Sequence, residues 1–392
     1  MLEFNNEFKI SMVALRCIQA HPSIPRDKKW VAKFSFIIIA SSVCFIFLIY
    51  SIMFHDIRDA RYTEAIKNGS MSIVCLIITF KYVVLLRHQN SITNLIKIIN
   101  EDYSTTDQFT HDEKQIILEY SKKGKNVCKF WLLSASSTGA LFPLKALYFM
   151  ARSYWQGDFK LVPMFDLTYP KIIDMYKDSI NVFLLLFLLC LFFDLYASAM
   201  HIGFDPLVSI FLLHSCGQID ILSRRMEKVI SATRNEKEMK KKLRDINKKL
   251  QAVHRFVSSV QSNFMELFEF NMKTTTFLLP FSAFQIIQSL RLLELNMEFI
   301  CFFSSSILHF FMPCYYSNLL MDKGHSLREA IYSCGWENTP NIQIRKTVLF
   351  MLTRCNISLS ISTIFYPINL GTFAEMCRQA YTIFSVMNAA WI

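Results

Sequence analysis

The sequence predicts an all-α protein, a bundle of seven helices that cross a membrane, and three observations support this fold class. Hydrophobic residues make up 53% of the 392 residues and charged residues only 19%, whereas soluble domains average about 45–50% apolar and about 25% charged residues. Several apolar runs reach the roughly 20 residues that a helix needs to cross a bilayer. Polar segments rich in Lys and Arg separate these runs. A fibrous or disordered chain is excluded, because 36 Phe residues accompany only nine Gly and ten Pro.

The apolar runs define the crossings in chain order. The run at 180–213 is too long for one crossing, and the pair Asp205-Pro206 within it is typical of a helix N-cap and a first-turn proline. We therefore expect the fourth crossing to end near His201 and a new helix to begin at this pair. Pro367 and Gly371 divide the last run. The expected crossings are 34–54, 71–86, 130–150, 180–201, 264–288, 299–320 and about twenty residues after Gly371.

The distribution of charge predicts the orientation. The gaps 1–30, 87–129, 214–263 and 321–346 together hold 28 Lys and Arg against 17 Asp and Glu, and the gaps between them hold 8 against 9. Because cytoplasmic loops carry the excess of Lys and Arg, we expect a cytoplasmic N-terminus and an extracellular C-terminus. Residues 1–30 lack an apolar core, so the first crossing is expected to act as the membrane signal.

These crossings divide the chain into six segments, in which helices 4 to 7 carry cytoplasmic extensions. A basic run at 240–249 is compatible with attraction to anionic lipid or with an ordinary solvated face above the periodic Leu243, Ile246, Leu250 and Val253. The segments are a cytoplasmic N-terminal segment (1–30), helices 1–4 (31–213), a cytoplasmic helical region (214–263), helices 5–6 (264–320), a cytoplasmic anchor region with the first half of helix 7 (321–366), and the last helix (367–392).

Catalytic and metal-binding motifs are missing from the sequence. The eleven Cys include no CxxC pair, and the nine His form no HExxH motif. GxGxxG, GxxxxGK[ST] and GxSxG are absent as well. The basic residues lie between the crossings without interleaved aromatics, which disfavours nucleic acid as a partner. We therefore expect no enzyme, no cofactor and no metal site.

Three stretches resemble the insect odorant receptor family. The stretch from Asp205 to Leu222, with His214 and Gln218, resembles the point where helix 4 of that family leaves the membrane. The run 313–336 is similar to its helix 6 exit, and 372–386 is similar to its signature in the last helix. His254 and the combination of Arg87 with Asn94, Leu95 and Ile96 also fit. The match extends over the chain from residue 30 onwards.

The resemblance implies a function. Subunits of this family form a tetrameric, non-selective cation channel that an odorant opens directly, in sensory detection of smell. This chain is expected to be a tuning subunit that pairs with a shared co-receptor in the plasma membrane of sensory neuron dendrites, with membrane lipid around it. The cytoplasmic parts of helices 5 to 7 would pack with neighbouring subunits, as the periodic Ile344, Val348, Met351 and Leu352 would allow.

The resemblance also implies that the last helix lines the pore. Glu375 and Arg378 lie on one face of this helix, which fits either a wetted helix or a local ion pair. The family's outer gate corresponds to Val386, Ala389 and Ala390. Val386 suits a hydrophobic constriction, whereas the two alanines are smaller than the residues of the co-receptor, which favours a tuning subunit.

The ligand pocket is expected in the outer half of helices 2, 3, 4 and 6. A small, volatile, mostly apolar ligand requires a closed cavity with aromatic walls and a few polar groups. Ordinary helix packing remains the alternative for every candidate. Segment 163–166 resembles a loop that covers the pocket, and Asn68-Gly69-Ser70 is a glycosylation sequon. The candidate ligand-binding residues are Ser136, Gly139, Pro143, Tyr176, Ile180, Phe183, Phe302, Phe303 and Ser306.

Three alternatives remain at this point. A gustatory-type, homomeric ligand-gated channel of the same superfamily would share the fold, although its last-helix pattern differs from 372–386. A G-protein-coupled receptor would need the opposite topology. A transporter would be expected to show an internal repeat, which this sequence lacks.

Overall fold

The computed structural model describes residues 2–233, 235–291, 293 and 296–390. Met1 and residues 391–392, at the ends of the first and last expected segments, lie outside the described residues. Regular structure in the described ranges is helical apart from one isolated bridge between Ser362 and Pro367. The helices are α1 (Phe4–Glu7), α2 (Lys9–Cys17), α3 (Lys28–Ser51), α4 (Tyr62–Arg87), α5 (Gln89–Ser104), α6 (His111–Trp155), α7 (Lys171–Asp174), α8 (Ile180–Val229), α9 (Glu236–Arg291), α10 (Met297–Tyr332), α11 (Ile342–Cys355) and α12 (Leu370–Ala390).

The all-α fold class is confirmed. The seven expected crossings fall in α3, α4, α6, α8, α9, α10 and α12. Among the residues that the structure describes, four helical spans are long and apolar enough to cross a membrane by length and composition: Lys28–Asp56, Tyr62–Arg87, Ile180–Val229 and Met297–Asn338. The first of them comprises α3 and a following π-helical turn, Ile52–Asp56.

Local sequence signals explain where several helices begin. The Asp27 side chain accepts a hydrogen bond from the Trp30 backbone N–H at the start of α3. Thr110 and Glu113 form a reciprocal capping box at the start of α6, and the Asn341 side chain caps α11. Each cap satisfies backbone N–H groups that have no partner within the helix.

The expectation of a new helix at Asp205-Pro206 is wrong. Helix α8 runs without interruption from Ile180 to Val229, with Pro206 in its interior. Proline removes one backbone hydrogen bond, but nearly every residue from Met200 to Leu222 is buried between neighbouring helices. The packing of that stretch offsets the missing hydrogen bond, and the Asp205 carboxylate pairs with side chains instead of capping a helix.

The ends of the long helices on the side of the N-terminus form one packed core with the N-terminal helices. Phe4, Phe8 and Leu15 are fully buried, and α2 packs against α8. In α11, Ile344, Val348 and Met351 are buried within the chain's own core. This face of α11 is therefore already occupied and does not offer the packing surface for neighbouring subunits that its periodicity suggested.

Candidate ligand-binding site

A cavity of about 90 Å³ lies inside the bundle, between α4, α6, α8 and α10. It exceeds the ~10–15 Å³ that one water requires, and an engineered cavity of about 150 Å³ holds benzene. Its wall is mostly apolar and rich in aromatic rings, and polar groups converge on it from three sides. The aromatic residues are Trp131, Phe142, Phe165, Phe193 and Phe302, and the polar residues are Ser134, Thr138, Asp194, Ser198, His201, Ser305, Ser306 and His309.

One wall carries a group of three hydroxyls that connects α6 to α10. The Oγ atoms of Ser134 and Ser305 are 2.9 Å apart, and Thr138 Oγ1 lies 2.8 Å from Ser305 Oγ. Ser134 and Thr138 are one helical turn apart and therefore share a face of α6. A hydroxyl both donates and accepts hydrogen bonds, so this group can pair with either kind of ligand atom.

The inner end of the cavity meets a buried charged cluster. Lys81 Nζ on α4 lies 2.6 Å from Asp205 Oδ1 on α8, and both side chains are almost completely buried. His201 Nδ1 lies 2.8 Å from Asp205 Oδ2 and 3.1 Å from Lys81 Nζ. His309 Nε2 of α10 lies 3.6 Å from Asp205 Oδ2. The cluster joins three helices at one point.

His201, Asp205 and His309 are also close enough together to ligate one metal ion. Sequence reasoning found no His pair beside a carboxylate, because His309 reaches the other two only through the fold. The Lys81 ammonium already supplies a positive charge at this carboxylate. A metal cation would have to displace it, so the donor set fits an internal ion pair better than a metal centre.

The loop before α7 closes the outer end of the cavity. Phe165 contributes to the cavity wall and packs against Phe142 at 5.6 Å between ring centroids. The next residue, Asp166, pairs with Lys67 at 2.5 Å, and its carbonyl accepts a hydrogen bond from the Asn68 amide. Outside Phe165 lies a vestibule of about 570 Å³. Phe165 therefore separates the cavity from this vestibule.

The sequon at Asn68 is not accessible to a glycosyl donor. Asn68 is 1% exposed, and its amide donates a hydrogen bond of 2.8 Å to Asp56 Oδ2. Glycosylation would require this buried contact to break.

The structure distributes the nine candidate ligand-binding residues over several surfaces. Gly139, Phe302 and Ser306 line the cavity. Ser136 and Pro143 face an apolar groove on the outside of α6 and α8, which Gly139 also borders. Phe183 lines the outer vestibule. Tyr176 and Ile180 are 60% and 67% exposed, and Phe303 packs half-buried against the core.

Sequence reasoning missed the polar face that α8 presents to the cavity. Asp194, Ser198, His201 and Asp205 follow one another at intervals of three or four residues, which places them on one side of a helix. Polar residues at this spacing in an otherwise apolar run were a usable signal. The supposed helix break at Asp205-Pro206 obscured it, because it assigned these residues to two helices.

The candidate pore residues lie on an exposed face of α12. Glu375, Arg378, Val386 and Ala389 are exposed, and Val386 is 65% exposed. The opposite face, with Met376 and Ala380, is buried. Glu375 and Arg378 form an ion pair of 3.2 Å. Ala390 is also exposed and lies beside Ala389 at the end of the helix.

At the end of the bundle that holds the N-terminal helices, His214 and Gln218 of the resemblance motif lie in the packed core. His214 Nε2 contacts Asp102 Oδ2 at 3.0 Å, and Lys249 contacts the other oxygen of this carboxylate. Burial raises the pKa of Asp102, but the hydrogen bond to His214 and the charge of Lys249 outweigh it and hold this pKa below its usual value. The contact ties α5, α8 and α9 together, which is an anchoring role.

Comparisons with known proteins agree with this architecture. A family model described as 7tm Odorant receptor matches residues 61–381. Odorant receptor 19a of Drosophila melanogaster is 37% identical over 76 residues, 19% of this chain and 19% of the relative. Odorant receptor 85c of the same species is 24% identical over 123 residues, 31% of each chain. These alignments thus span only a fifth to a third of the length of the curated relatives.

Among solved structures, the insect olfactory receptor OR5 from Machilis hrabei superimposes with a TM-score of 0.77 at 17% identity, over 98% of this chain and 97% of that one. The same receptor in complex with eugenol superimposes with a TM-score of 0.74 at 16% identity, over 98% of both chains. At these identities the likeness shows the fold.

Proposed function

Because the chain belongs to the 7tm odorant receptor family, we propose that it is an odorant-binding tuning subunit of a ligand-gated cation channel. The single observation that carries the proposal is the enclosed cavity between α4, α6, α8 and α10. Ligand sites for small apolar molecules are concave and mostly apolar, with a few convergent polar groups, and this cavity has all three properties. The eugenol complex of the Machilis receptor supports a small volatile ligand for this fold.

Access to the cavity is proposed to depend on Phe165. Its ring lies between the cavity and the outer vestibule, and its loop is tethered to α4 through the Lys67–Asp166 ion pair. An odorant that reaches the vestibule would pass when this ring turns aside. The ring would then close over the bound molecule and shield it from water.

The exposed face of α12 is proposed to line the pore. In a single chain this face of α12, which carries both polar and apolar residues, is exposed. In a tetramer, four copies of the helix around a central axis would shield this face from lipid. Val386 supplies an apolar constriction that can stop ions by dewetting. Ala389 and Ala390 add little bulk, so larger side chains from a co-receptor subunit would complete the gate.

Helix α10 connects the two parts. Its residues Ser305 and His309 line the cavity, and Phe311, on the same helix, contacts Phe373 of α12 at 5.3 Å between ring centroids. A ligand that binds better to one position of α10 shifts the population of that position. The movement would reach α12 through this aromatic contact.

The proposed setting is the plasma membrane of sensory neuron dendrites, with a cytoplasmic N-terminus and an extracellular C-terminus. The assembly is a heterotetramer with the co-receptor. The family match favours this branch over the gustatory-type channel and the G-protein-coupled receptor.

Two serines of α10 give a matched test. Ser306 lines the cavity, whereas Ser304 is exposed, and each hydroxyl bonds the carbonyl four residues earlier. Ser306→Leu should reduce currents evoked by an activating volatile at least about tenfold by filling the cavity, and Ser304→Leu should leave them unchanged. Currents are recorded with and without an insect co-receptor, and a co-receptor agonist reports assembly. Equal odorant responses from both variants would contradict the proposal.

A further inference from the structure

The cavity contains a carboxylate without a cationic partner. Asp194 lines the cavity wall from α8 and also borders the apolar groove on the outside of α6 and α8. Throughout residues 2–233, 235–291 and 296–390, no ion pair within 4.0 Å and no hydrogen bond connects this side chain to another. Lys81, the buried lysine at the inner end of the cavity, forms its ion pair with Asp205. Asp194 is therefore available to a ligand.

The backbone of α6 makes room for this carboxylate. A Cβ atom placed on Gly139 would lie 3.3 Å and 3.4 Å from the two oxygens of Asp194 and would collide with the Ser198 hydroxyl. The missing side chain at position 139 lets the Ser198 hydroxyl and, less tightly, the Asp194 carboxylate lie against α6. The facing helices α6 and α8 together therefore determine the position of this carboxylate.

Aromatic rings surround the same region. Phe193 precedes Asp194 on α8, and Phe165 lies between Phe193 and Phe142, at 6.5 Å and 5.6 Å between ring centroids. The negative face of an aromatic ring attracts a cation, most strongly where water is excluded. A carboxylate beside several rings is the chemistry that recognises an organic ammonium group.

From this arrangement we infer that the cavity takes a small, volatile amine, bound as its ammonium form with an N–H group donating to Asp194. The inference rests on the proposed function of the cavity as the ligand site. Asp194 is half-buried, so an ammonium ligand supplies an opposite charge to a carboxylate that has already lost part of its contact with water. A neutral ligand of the same shape would leave that carboxylate without a cation.

The size of the cavity limits the amine. A volume of about 90 Å³ is smaller than the ~150 Å³ that accommodates benzene, so a probe should have no more non-hydrogen atoms than benzene, as a five-membered ring with one substituent does. Cyclopentylamine, cyclopentanol and methylcyclopentane differ only in whether the ring carries an ammonium, a hydroxyl or a methyl group. The three molecules therefore separate charge from shape.

Two measurements test the inference. Currents are recorded from the chain co-expressed with a co-receptor, and binding of the three probes to the purified complex is measured from ligand-induced thermal stabilisation, which does not depend on channel opening. The wild-type protein should bind cyclopentylamine at least about tenfold more tightly than cyclopentanol. Asp194→Asn should abolish this preference while binding of cyclopentanol is retained. Asp178→Asn, in the outer vestibule, should keep it.

The outcomes also separate this inference from the proposed function. Equal binding of amine and alcohol by the wild type, or a preference that survives Asp194→Asn, overturns the inference even if neutral volatiles open the channel. Amine binding that depends on Asp194, with no current evoked by the amine or by any neutral volatile, would uphold the inference and contradict the channel function. Retained binding of cyclopentanol to Asp194→Asn shows that this variant is folded.

Discussion

Removal of the Lys81 ammonium should destabilise the protein far more than removal of an exposed lysine. Lys81 is fully buried, and its partner Asp205 is 8% exposed. Breaking a buried ion pair by removing one partner costs about 3–5 kcal/mol, because the remaining charge is left without compensation. His201 still contacts Asp205 Oδ2 in Lys81→Met, so we expect the lower end, about 3 kcal/mol. This loss of stability corresponds to an increase of more than about a hundredfold in the equilibrium constant of unfolding.

A double variant isolates the charge from the loss of packing. In Lys81→Met combined with Asp205→Asn neither charge of this pair remains, and replacing both charges of a buried pair is often neutral or stabilising when the new side chains have similar volume and pack well. The double variant should therefore lie within about 1 kcal/mol of the wild type. Lys97→Met, which removes an exposed pair with Glu101, should cost less than about 1 kcal/mol.

The assay is the thermal midpoint of the purified protein in lipid nanodiscs, followed by tryptophan fluorescence. The thermal midpoints of the wild type, the double variant and Lys97→Met should be similar, and all three should be well above the thermal midpoint of Lys81→Met. A single variant as stable as the wild type would refute this expectation, and so would a double variant as unstable as the single one.

Three further predictions concern the lid, the cytoplasmic anchor and the pore. Phe165→Ala should speed the onset and decay of odorant currents because it removes the ring between cavity and vestibule; unchanged kinetics would contradict the lid. Asp102 has a lowered pKa, so its stabilising contribution is complete above its ordinary value of about 3.9 and is lost as the pH falls through the lowered value. The Asp102→Asn variant should therefore be less stable than the wild type at pH 7 and show a smaller loss on acidification below pH 4, as measured by thermal midpoints. Val386→Glu in the co-expressed complex should change ion selectivity and blocker sensitivity without altering odorant preference, and unchanged reversal potentials would exclude Val386 from the pore.

The class of fold followed from the sequence because bilayer thickness sets the length of each apolar run. Local signals were less reliable inside a helix. The pair Asp205-Pro206 has the residue types of a helix start, yet α8 continues through it. A helix cap at this pair would satisfy only one or two backbone hydrogen bonds. The continuous helix buries the surrounding stretch on nearly all sides, and this burial contributes more to stability than the cap would.

The candidate site was predicted at the level of helices and only partly at the level of residues. Gly139, Phe302 and Ser306 line the cavity, because small and aromatic residues in the outer half of a crossing are suited to such a wall. The rotation of each helix about its axis decides which neighbours share that wall. On α8 the spacing of Asp194, Ser198 and His201 indicates the rotation, but the sequence does not encode which residues of the other helices meet this face. The position of Asp194 opposite Gly139 depends on that rotation.

The central claim is that the cavity between α4, α6, α8 and α10 is the odorant site of a channel subunit. A structure of this chain assembled with a co-receptor and an activating volatile, determined by electron cryomicroscopy, tests it. The account predicts ligand density beside Phe302 and Ser306 beneath Phe165, and the α12 face with Val386 directed toward a central axis. Density for the ligand elsewhere, with this cavity empty, would contradict it.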